Sequence, residues 1–549
     1  LFSKSDILLT MLVWWQAANS HYNSKVAVLI AACKRENELT VAHLTYDSIK
    51  ELVAKAKGRI IPSDSAEFSI SKLSYDSRHV EQGAAFFCMP GEKTDGNRFA
   101  ADAIKSGASC IVTETAHESI AHPQIIVPDV RQTLADFADH LYGQPSRKLR
   151  LIGVTGTNGK TTTTHLVENI LNRSGKKVGL IGTLGSRIAG NADYHDAKHT
   201  TPQAPELQQM LNTMLEHGCT HVSLEVSSHS LALKRVAGCH FALAAYTNLT
   251  QDHLDFHKTM ENYWKAKRLL FETLNESYQN SKCAVINIDD PYSTHFLDAC
   301  GSSVKTITYG FSEKADVHPR ELTYTQGRSL LKLATPCGDI YISTRLMGQF
   351  NAYNVMAATA ICLEEGASAE NIIEALKDFE GVPGRFETVS IGHEREPLCI
   401  VDYAHSPDGL ENVLKTAAAM KRPAGKLICV FGCGGDRDPS KRPRMGEIAE
   451  ARADHVIVTS DNPRTEDPQE IIAQILSGIR RMKTIEVEPD RAAAIKLAVQ
   501  EAGPDDIVLV AGKGHENYQL VMNQSYSFDD KIEVKKALEA SLRTGAASS

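Results

Sequence analysis

A chain of 549 residues is too long for one hydrophobic core and points to about three domains. With 23% charged and 42% hydrophobic residues and a net charge of −8, it has the composition of a soluble globular protein, not of a general nucleic-acid binder. Its 12 cysteines are scattered, with no C-x-x-C pair, so no disulfide scaffold, zinc site or redox motif is indicated and a reduced, cytoplasmic compartment is expected.

The first 45 residues do not match the rest. The chain opens on Leu1, and apolar runs at residues 7–15 and 26–33 fall short of the ~20 residues that span a bilayer. Lys4 ahead of the first run and the small residues Ala17 and Ala18 would suit a signal peptide. An upstream extension or a misplaced start is the preferred expectation, with no stable membrane insertion. From Tyr46 the pattern is regular. Residues 70–73, 84–89 and 110–112 read as strands and 100–106 as a helix, a small α/β unit that closes near residue 146. The next unit opens with a buried strand at 149–154 and a helix at 163–171, and continues with strands at 178–181, 221–226, 241–246 and 283–288. The third, from residue 383, has strands at 398–401, 426–431, 455–458 and 507–510, each followed by a glycine or Asp/Asn turn and a helical stretch. Such alternation predicts an α/β protein with mostly parallel, doubly wound sheets. The expected divisions are 1–45, 46–146, 147–382 and 383–549.

Between the strand at 149–154 and its helix lies Gly156-Thr157-Asn158-Gly159-Lys160-Thr161-Thr162. Strand, glycine loop and helix make a phosphate cradle: backbone N–H groups and the helix dipole point at the anion, Lys160 supplies charge and the Thr161 hydroxyl can ligate Mg²⁺. The loop is shorter than the common Walker A, since Val154 stands where its first glycine would be. Glu225, at the end of the strand at 221–226, is a carboxylate placed to hold Mg²⁺ directly or through water. A strand-exit loop then packs Asp252, His253, Asp255 and His257 together, which makes His253 a candidate metal ligand. Residues 263–271 read alone as a solvated basic helix face.

In order along the chain, Gly156–Thr162, Glu225-Val-Ser-Ser-His229, Asp252-His-Leu-Asp255, Ala266-Lys267 and Asp402-Tyr-Ala-His405 resemble the motifs of the Mur ligases, ATP-dependent amide ligases of peptidoglycan synthesis. The resemblance covers residues 46–542. It implies ATP contacts at residues Gly156, Thr157, Asn158, Gly159, Lys160, Thr161 and Thr162, joined by Asn354, Arg385, Asp402 and His405. It implies Mg²⁺ on Thr161 and Glu225, a second Mg²⁺ near His253, and a CO₂-derived carbamate on Lys267 as a further ligand. Lys160, His253 and Lys267 are the expected catalytic residues. Carbamylation needs a neutral amine, which burial favours.

Two segments narrow the choice within the family. His199-Thr200-Thr201-Pro202 resembles the segment that grips the UDP-muramoyl substrate in the ligase adding the third residue. Asp461-Asn462-Pro463-Arg464 resembles the motif used when that residue is meso-diaminopimelate, whose distal carboxylate suits a planar guanidinium. Arg437, Gly512 and Glu516 extend that pocket. Ser77, in a turn resembling the family's uridine site, and Ser227 and Arg235 join Thr200 and Thr201 as UDP-substrate contacts. Leu233 stands where a glutamine is familiar. The implied activity is addition of meso-diaminopimelate to UDP-N-acetylmuramoyl-L-alanyl-D-glutamate through an acyl phosphate, by a monomer that closes its domains on the nucleotide. Other readings are a lysine-adding ligase, a folylpolyglutamate synthase, a P-loop ATPase switch or an inactive scaffold. No general base for the attacking amine is evident.

Overall fold

The computed structural model describes residues 43–62, 67–91, 94–188, 194–195, 199–325, 327–481, 484–522 and 524–546. The apolar runs at 7–15 and 26–33 lie outside them. Among the described residues no helix is long and apolar enough to cross a membrane, and the cysteines are free thiols. The chain divides into two compact units, one ending at Val130 and the other beginning at Arg131.

The first unit contains β1 (Arg59–Ile61), β2 (Lys72–Ser74), β3 (Ala84–Phe87), β4 (Cys110–Thr113) and β5 (Gln124–Ile126), in the order β1-β5-β4-β3-β2. Only the β1–β5 pairing is antiparallel. The strand expected from residue 70 begins at Lys72, because Ile70 instead makes an isolated bridge to Leu44.

The second unit carries two large sheets. The first joins β6 (Arg150–Thr155), β7 (Val178–Gly182), β8 (Gly185–Arg187), β9 (His221–Glu225), β10 (Phe241–Tyr246), β11 (Cys283–Asn287) and β12 (Lys305–Tyr309), in the order β12-β11-β10-β6-β9-β7-β8. All pairings but β7–β8 are parallel. β7, β9, β10 and β11 are buried along their whole length, as expected for strands covered on both faces. The central strand β6 has β10 on one side and β9 on the other, so the loops leaving these three strands open onto one crevice, where open α/β sheets bind ligands. Two helices border it, α1 (Lys160–Arg173) and α2 (Met260–Glu276).

The strand–helix alternation does not run unbroken to residue 382. β13 (His318–Thr325), β14 (Arg328–Ala334) and β15 (Ile340–Thr344) form a separate antiparallel sheet. β13 is mostly exposed and includes Arg320 and Glu321, so it shows no clean apolar alternation. One face of this sheet, through Leu331, Leu333, Ile340 and Ile342, shares a core with α1 and with the alanine-rich helix Gln349–Glu364.

The second large sheet comprises β16 (Glu387–Val389), β17 (Leu398–Asp402), β18 (Leu427–Phe431), β19 (His455–Val458), β20 (Ile485–Val487) and β21 (Ile507–Ala511), in the order β16-β17-β21-β18-β19-β20. Only β16 is antiparallel to its neighbour. Helix α3 (Pro407–Met420) follows β17, and a hairpin of β22 (Tyr518–Val521) and β23 (Gln524–Ser527) follows β21. The loops leaving β17, β18, β19 and β21 carry Asp402–His405, Arg437, Asp461–Arg464 and Gly512–Glu516.

Candidate active site

The loop after β6 is braced from behind by the segment that leaves β10. Thr157 N–H donates to Asn248 O (2.8 Å), Asn158 N–H to Asn248 Oδ1 (3.0 Å), and the Thr247 hydroxyl to Asn158 O (2.6 Å). Two glycines make this approach possible. Gly156 (φ +149°) lies so close that a Cβ would sit 1.8 Å from Thr247 Oγ1, and Gly159 (φ +88°) so close that one would sit 2.4 Å from Asn354 Oδ1. Gly159 also begins α1 without a side-chain cap, leaving the helix's first N–H groups for an acceptor from outside the helix.

Three basic side chains converge here. Lys160 Nζ donates to Gly156 O (2.9 Å) and Thr157 O (2.8 Å), folded back over its own loop. Lys267, on α2, is 1% exposed, while its neighbour Lys265 faces solvent, so the solvated face read from residues 263–271 alone holds for Lys265 and not for Lys267. Its Nζ donates to Gly156 O (2.8 Å) and sits 4.6 Å from the Tyr263 ring centroid. Burial, reinforced by the charge of Lys160, depresses the Lys267 pKa well below the ordinary lysine value. Arg385 reaches in from the third segment and donates from Nη2 to Thr161 Oγ1 (3.0 Å). Among the described residues nothing accepts its buried Nε–H.

Oxygen donors stand opposite. The Thr161 hydroxyl donates to Glu225 Oε2 (3.0 Å), and Thr183 donates to the same carboxylate through its N–H (2.9 Å) and its hydroxyl (3.0 Å). His253 Nε2 and His405 Nε2 lie 3.5 and 3.7 Å from Asp252 Oδ2. Burial alone would raise the Asp252 pKa, yet the two imidazoles hold it well below the usual carboxylate range. Loss of solvent drops the His253 pKa to about 3, leaving a neutral ring able to ligate a metal. Asp402 is committed to backbone: its two oxygens accept from Phe386 N (2.6 Å) and Ala404 N (2.7 Å).

Residues 157–162, Glu225, His253, Asn354, Arg385 and His405 line a cavity of about 200 Å³, while Lys267 is outside its wall, on Gly156 O. A second cavity, of about 740 Å³, has Thr200, Thr201, Ser227 and Arg235 together with Arg437, Arg464 and Glu516 in its wall. Thr183, Thr200, Ser227, His253 and Tyr403 border both. Substrates in the two spaces would therefore meet at that shared wall.

The first segment of the second cavity is organised around Thr201, whose hydroxyl donates to Glu225 O (2.8 Å) and accepts from Ser227 N (3.1 Å), while Arg235 Nη1 donates to Thr201 O (3.0 Å). Opposite, Arg464 (φ +54°) donates from Nη1 to Gly435 O (2.6 Å). Asp461, Asn462, Pro463 and Gly512 are not in the cavity wall but behind it. Asn462 Nδ2 donates to Glu516 Oε2 (2.8 Å).

Comparison with known proteins places the chain in a family. Residues 69–142 match the description "Mur ligase family, catalytic domain", 154–362 "Mur ligase middle domain" and 384–514 "Mur ligase, glutamate ligase domain". The chain belongs to the Mur ligase family. It is 46% identical over 473 residues, 86% of this chain and 95% of the relative, to the UDP-N-acetylmuramoyl-L-alanyl-D-glutamate–2,6-diaminopimelate ligase of Geobacillus thermodenitrificans. It is 47% identical over 474 residues, 86% of this chain and 94% of the relative, to the ligase of the same name from Gloeobacter violaceus. A solved structure of a UDP-N-acetylmuramoyl-L-alanyl-D-glutamate–2,6-diaminopimelate ligase superposes with a TM-score of 0.61 at 36% identity, covering 86% of this chain and 95% of that one.

Within this Mur ligase, residues 157–162, Glu225, His253, Asn354, Arg385 and His405 converge on one crevice, and Lys267 is buried against Gly156 O outside its wall. Ser77 belongs to the other compact unit, in a short turn capped by Asp76. The Asp76 carboxyl accepts from Arg78 N, Nε and Nη2, and these bonds hold it well below the usual range. Sequence reasoning passed over Thr183 and Tyr403, which border both cavities, and Asp408, which accepts from Asn158 Nδ2 (2.8 Å). Thr183 lies just beyond β7, and only the β7–β9 pairing brings it to Glu225. Tyr403 lies between Asp402 and His405, within one of the motifs that resemble the family. For Asp408 the only local signal is its place in the first turn of α3.

Proposed function

We propose that this chain is the ATP-dependent ligase joining meso-diaminopimelate to UDP-N-acetylmuramoyl-L-alanyl-D-glutamate in peptidoglycan precursor synthesis, acting in the cytoplasm. ATP activates the free glutamyl carboxylate as an acyl phosphate, and the diaminopimelate amine displaces phosphate. The observation that carries the reading is the shared wall of the two cavities. A triphosphate loop lies on one side of it, and on the other a guanidinium pair and a carboxylate suited to the amino-acid end of diaminopimelate. Residues 46–146 take the uridine end of the substrate in this proposal, 147–382 the triphosphate and 383–549 the amino acid.

Phosphoryl transfer of this kind rests on positioning and charge neutralisation. The uncapped N-terminus of α1, Lys160 and the free Nε–H of Arg385 are the donors assigned to that task. The hydroxyl of Thr161 and the carboxylate of Glu225 are hard oxygen donors suited to Mg²⁺, with the neutral His253 and a carbamate on Lys267 assigned to a second ion. Bound Mg²⁺ neutralises phosphate charge and polarises the P–O bond. Lys267 suits carbamylation because burial, with the charge of Lys160, lowers its pKa well below the ordinary lysine value and so favours the neutral amine. Thr200, Thr201, Ser227 and Arg235 orient the muramoyl dipeptide, while Arg437 and Arg464 take the distal carboxylate of diaminopimelate and Glu516 its neighbouring ammonium.

Incubation with ATP, the UDP-muramoyl dipeptide and either diaminopimelate or lysine tests the reading. UDP-muramoyl-tripeptide and ADP are expected with diaminopimelate. ADP release without tripeptide would leave an ATPase, and equal use of lysine would remove the specificity claim.

A further inference from the structure

Behind the wall of the larger cavity, Lys513 is fully buried at 0% exposure. Its Nζ donates to Asn462 Oδ1 (3.1 Å) and Glu516 Oε2 (3.1 Å) and sits 5.5 Å from the Tyr518 ring centroid. Asn462, 2% exposed, closes a triangle by donating from Nδ2 to the same Glu516 oxygen (2.8 Å), while its Oδ1 also accepts from Leu520 N (2.9 Å). A buried ammonium is costly unless paired, and an apolar side chain of similar length would fill this space without that cost. An ion pair here has to be accounted for by what it orients.

We propose that Lys513 is a positioning residue for the amino end of the incoming amino acid, acting through Asn462 and Glu516. An ammonium has three donors and no acceptor, so it can face only the oxygen of the Asn462 amide. That fixes the amide's orientation and turns its NH₂ toward Glu516. Glu516 Oε2 then has two internal donors, which pins the carboxylate by one oxygen and leaves Oε1 for a ligand ammonium. Glu516 lines the cavity with Arg437 and Arg464, so a carboxylate and an ammonium on one carbon meet a pre-set pair of opposite charges. Without Lys513 only Leu520 N–H holds the Asn462 amide oxygen, and Glu516 keeps one of its two internal donors but loses its neutralising partner.

The inference rests on the proposed diaminopimelate-adding activity, and its test separates the two. Steady-state kinetics of full-length Lys513→Met, varying each substrate in turn, should show KM for diaminopimelate raised about ten- to hundredfold, the range of one charge-assisted hydrogen bond. The KM values for ATP and the UDP-dipeptide and kcat should change by less than about threefold, on the order of the scatter of distant sites. Lys513→Arg should recover part of the loss. In a Glu516→Gln background the Lys513→Met effect should largely vanish, since no carboxylate remains to be held. An unchanged KM for diaminopimelate, a uniform fall in kcat, or an undiminished effect in the Glu516→Gln background overturns the inference. Should Lys513→Met not fold, Lys513→Gln, which keeps a donor, carries the same comparison. A wild-type enzyme that does not use diaminopimelate refutes the function instead.

Discussion

Replacing Arg464 by alanine probes the amino-acid pocket where recognition and fold can be separated. Arg464 is half-buried and Arg437 exposed, so removing a ligand carboxylate does not strand two fully desolvated guanidinium groups. Arg464 also keeps an internal acceptor in Gly435 O at 2.6 Å. The penalty for a missing carboxylate is therefore that of a charge-assisted hydrogen bond, about 1.5–3 kcal/mol, below the cost of breaking a buried ion pair. At ~1.4 kcal/mol per decade this is a rise of about ten- to hundredfold in KM for diaminopimelate. The backbone is a fair control, because Arg464 sits at φ +54° and alanine bears the same left-handed strain as arginine. Initial rates with diaminopimelate, ATP and UDP-dipeptide varied separately should place the loss on diaminopimelate alone. Lysine, which has the distal ammonium but no distal carboxylate, should be a poor substrate for the wild type because it leaves the proposed guanidinium pair without its carboxylate, and no better for the variant, which gains no new contact with it. A wild type that uses lysine and diaminopimelate equally, or an Arg464→Ala enzyme with unchanged KM for diaminopimelate, would falsify the assignment.

Lys160→Ala keeps the loop's backbone donors but loses the charge over the transferring phosphoryl group, so turnover should drop by about 10²–10³ with the melting temperature little changed; near-normal turnover would sink the phosphate-loop role. Lys267→Ala should be nearly inactive and partly restored by short-chain carboxylic acids that put an anion back in the vacated space, and no rescue together with an unmodified ammonium in a nucleotide-bound crystal structure would count against the carbamate. Burial, followed by the charge of Arg385, lowers the His515 pKa to about 3. Between the unfolded value near 6.5 and that folded value the unfolded chain binds the extra proton, so stability rises with pH and is lost as pH falls through the window, by up to about 1.4 kcal/mol per unit from this ring. Urea midpoints at pH 7 and pH 5 should accordingly differ less in His515→Gln than in the wild type, and an equal difference in both would remove His515 from the acid response.

The parts of the site legible in the chain were those written in contiguous residues. Gly156–Thr162 between an apolar strand and a helix could be read as a phosphate loop because turn, backbone donors and charge all lie within seven residues. Lys267 shows the limit of such reading: helical spacing alone put it on a solvated face, and its burial follows from α2 packing its inner side under the loop of β6. Thr183 and Lys513 were missed for a related reason. Thr183 is an ordinary turn residue until β7 pairs with β9, and Lys513 is one more lysine until the loops leaving β19 and β21 are brought side by side. The antiparallel sheet β13–β15 escaped because its outer strand is polar along most of its length, so no period of two survives.

What joins the two large sheets at the nucleotide crevice bears on how such an enzyme turns over. Asn158 donates to Asp408, Arg385 to Thr161 and Gln251 to Ser440 (3.2 Å), and His405 approaches Asp252. In each pair one partner comes from the residues before 383 and the other from those after. Contacts of this kind contribute about 0.5–1.5 kcal/mol apiece, less where they are exposed. These polar contacts stand beside an apolar one, since Phe350, from the helix Gln349–Glu364, packs on the core of the second large sheet and against Phe386 (ring centroids 6.0 Å apart). Three of the four pairs involve a residue also assigned to the nucleotide or its metal, Asn158, Arg385 with Thr161, or His405. In the proposed function a bound triphosphate would compete for these polar groups and replace their mutual contacts with its own, which would couple closure to nucleotide occupancy through the same side chains.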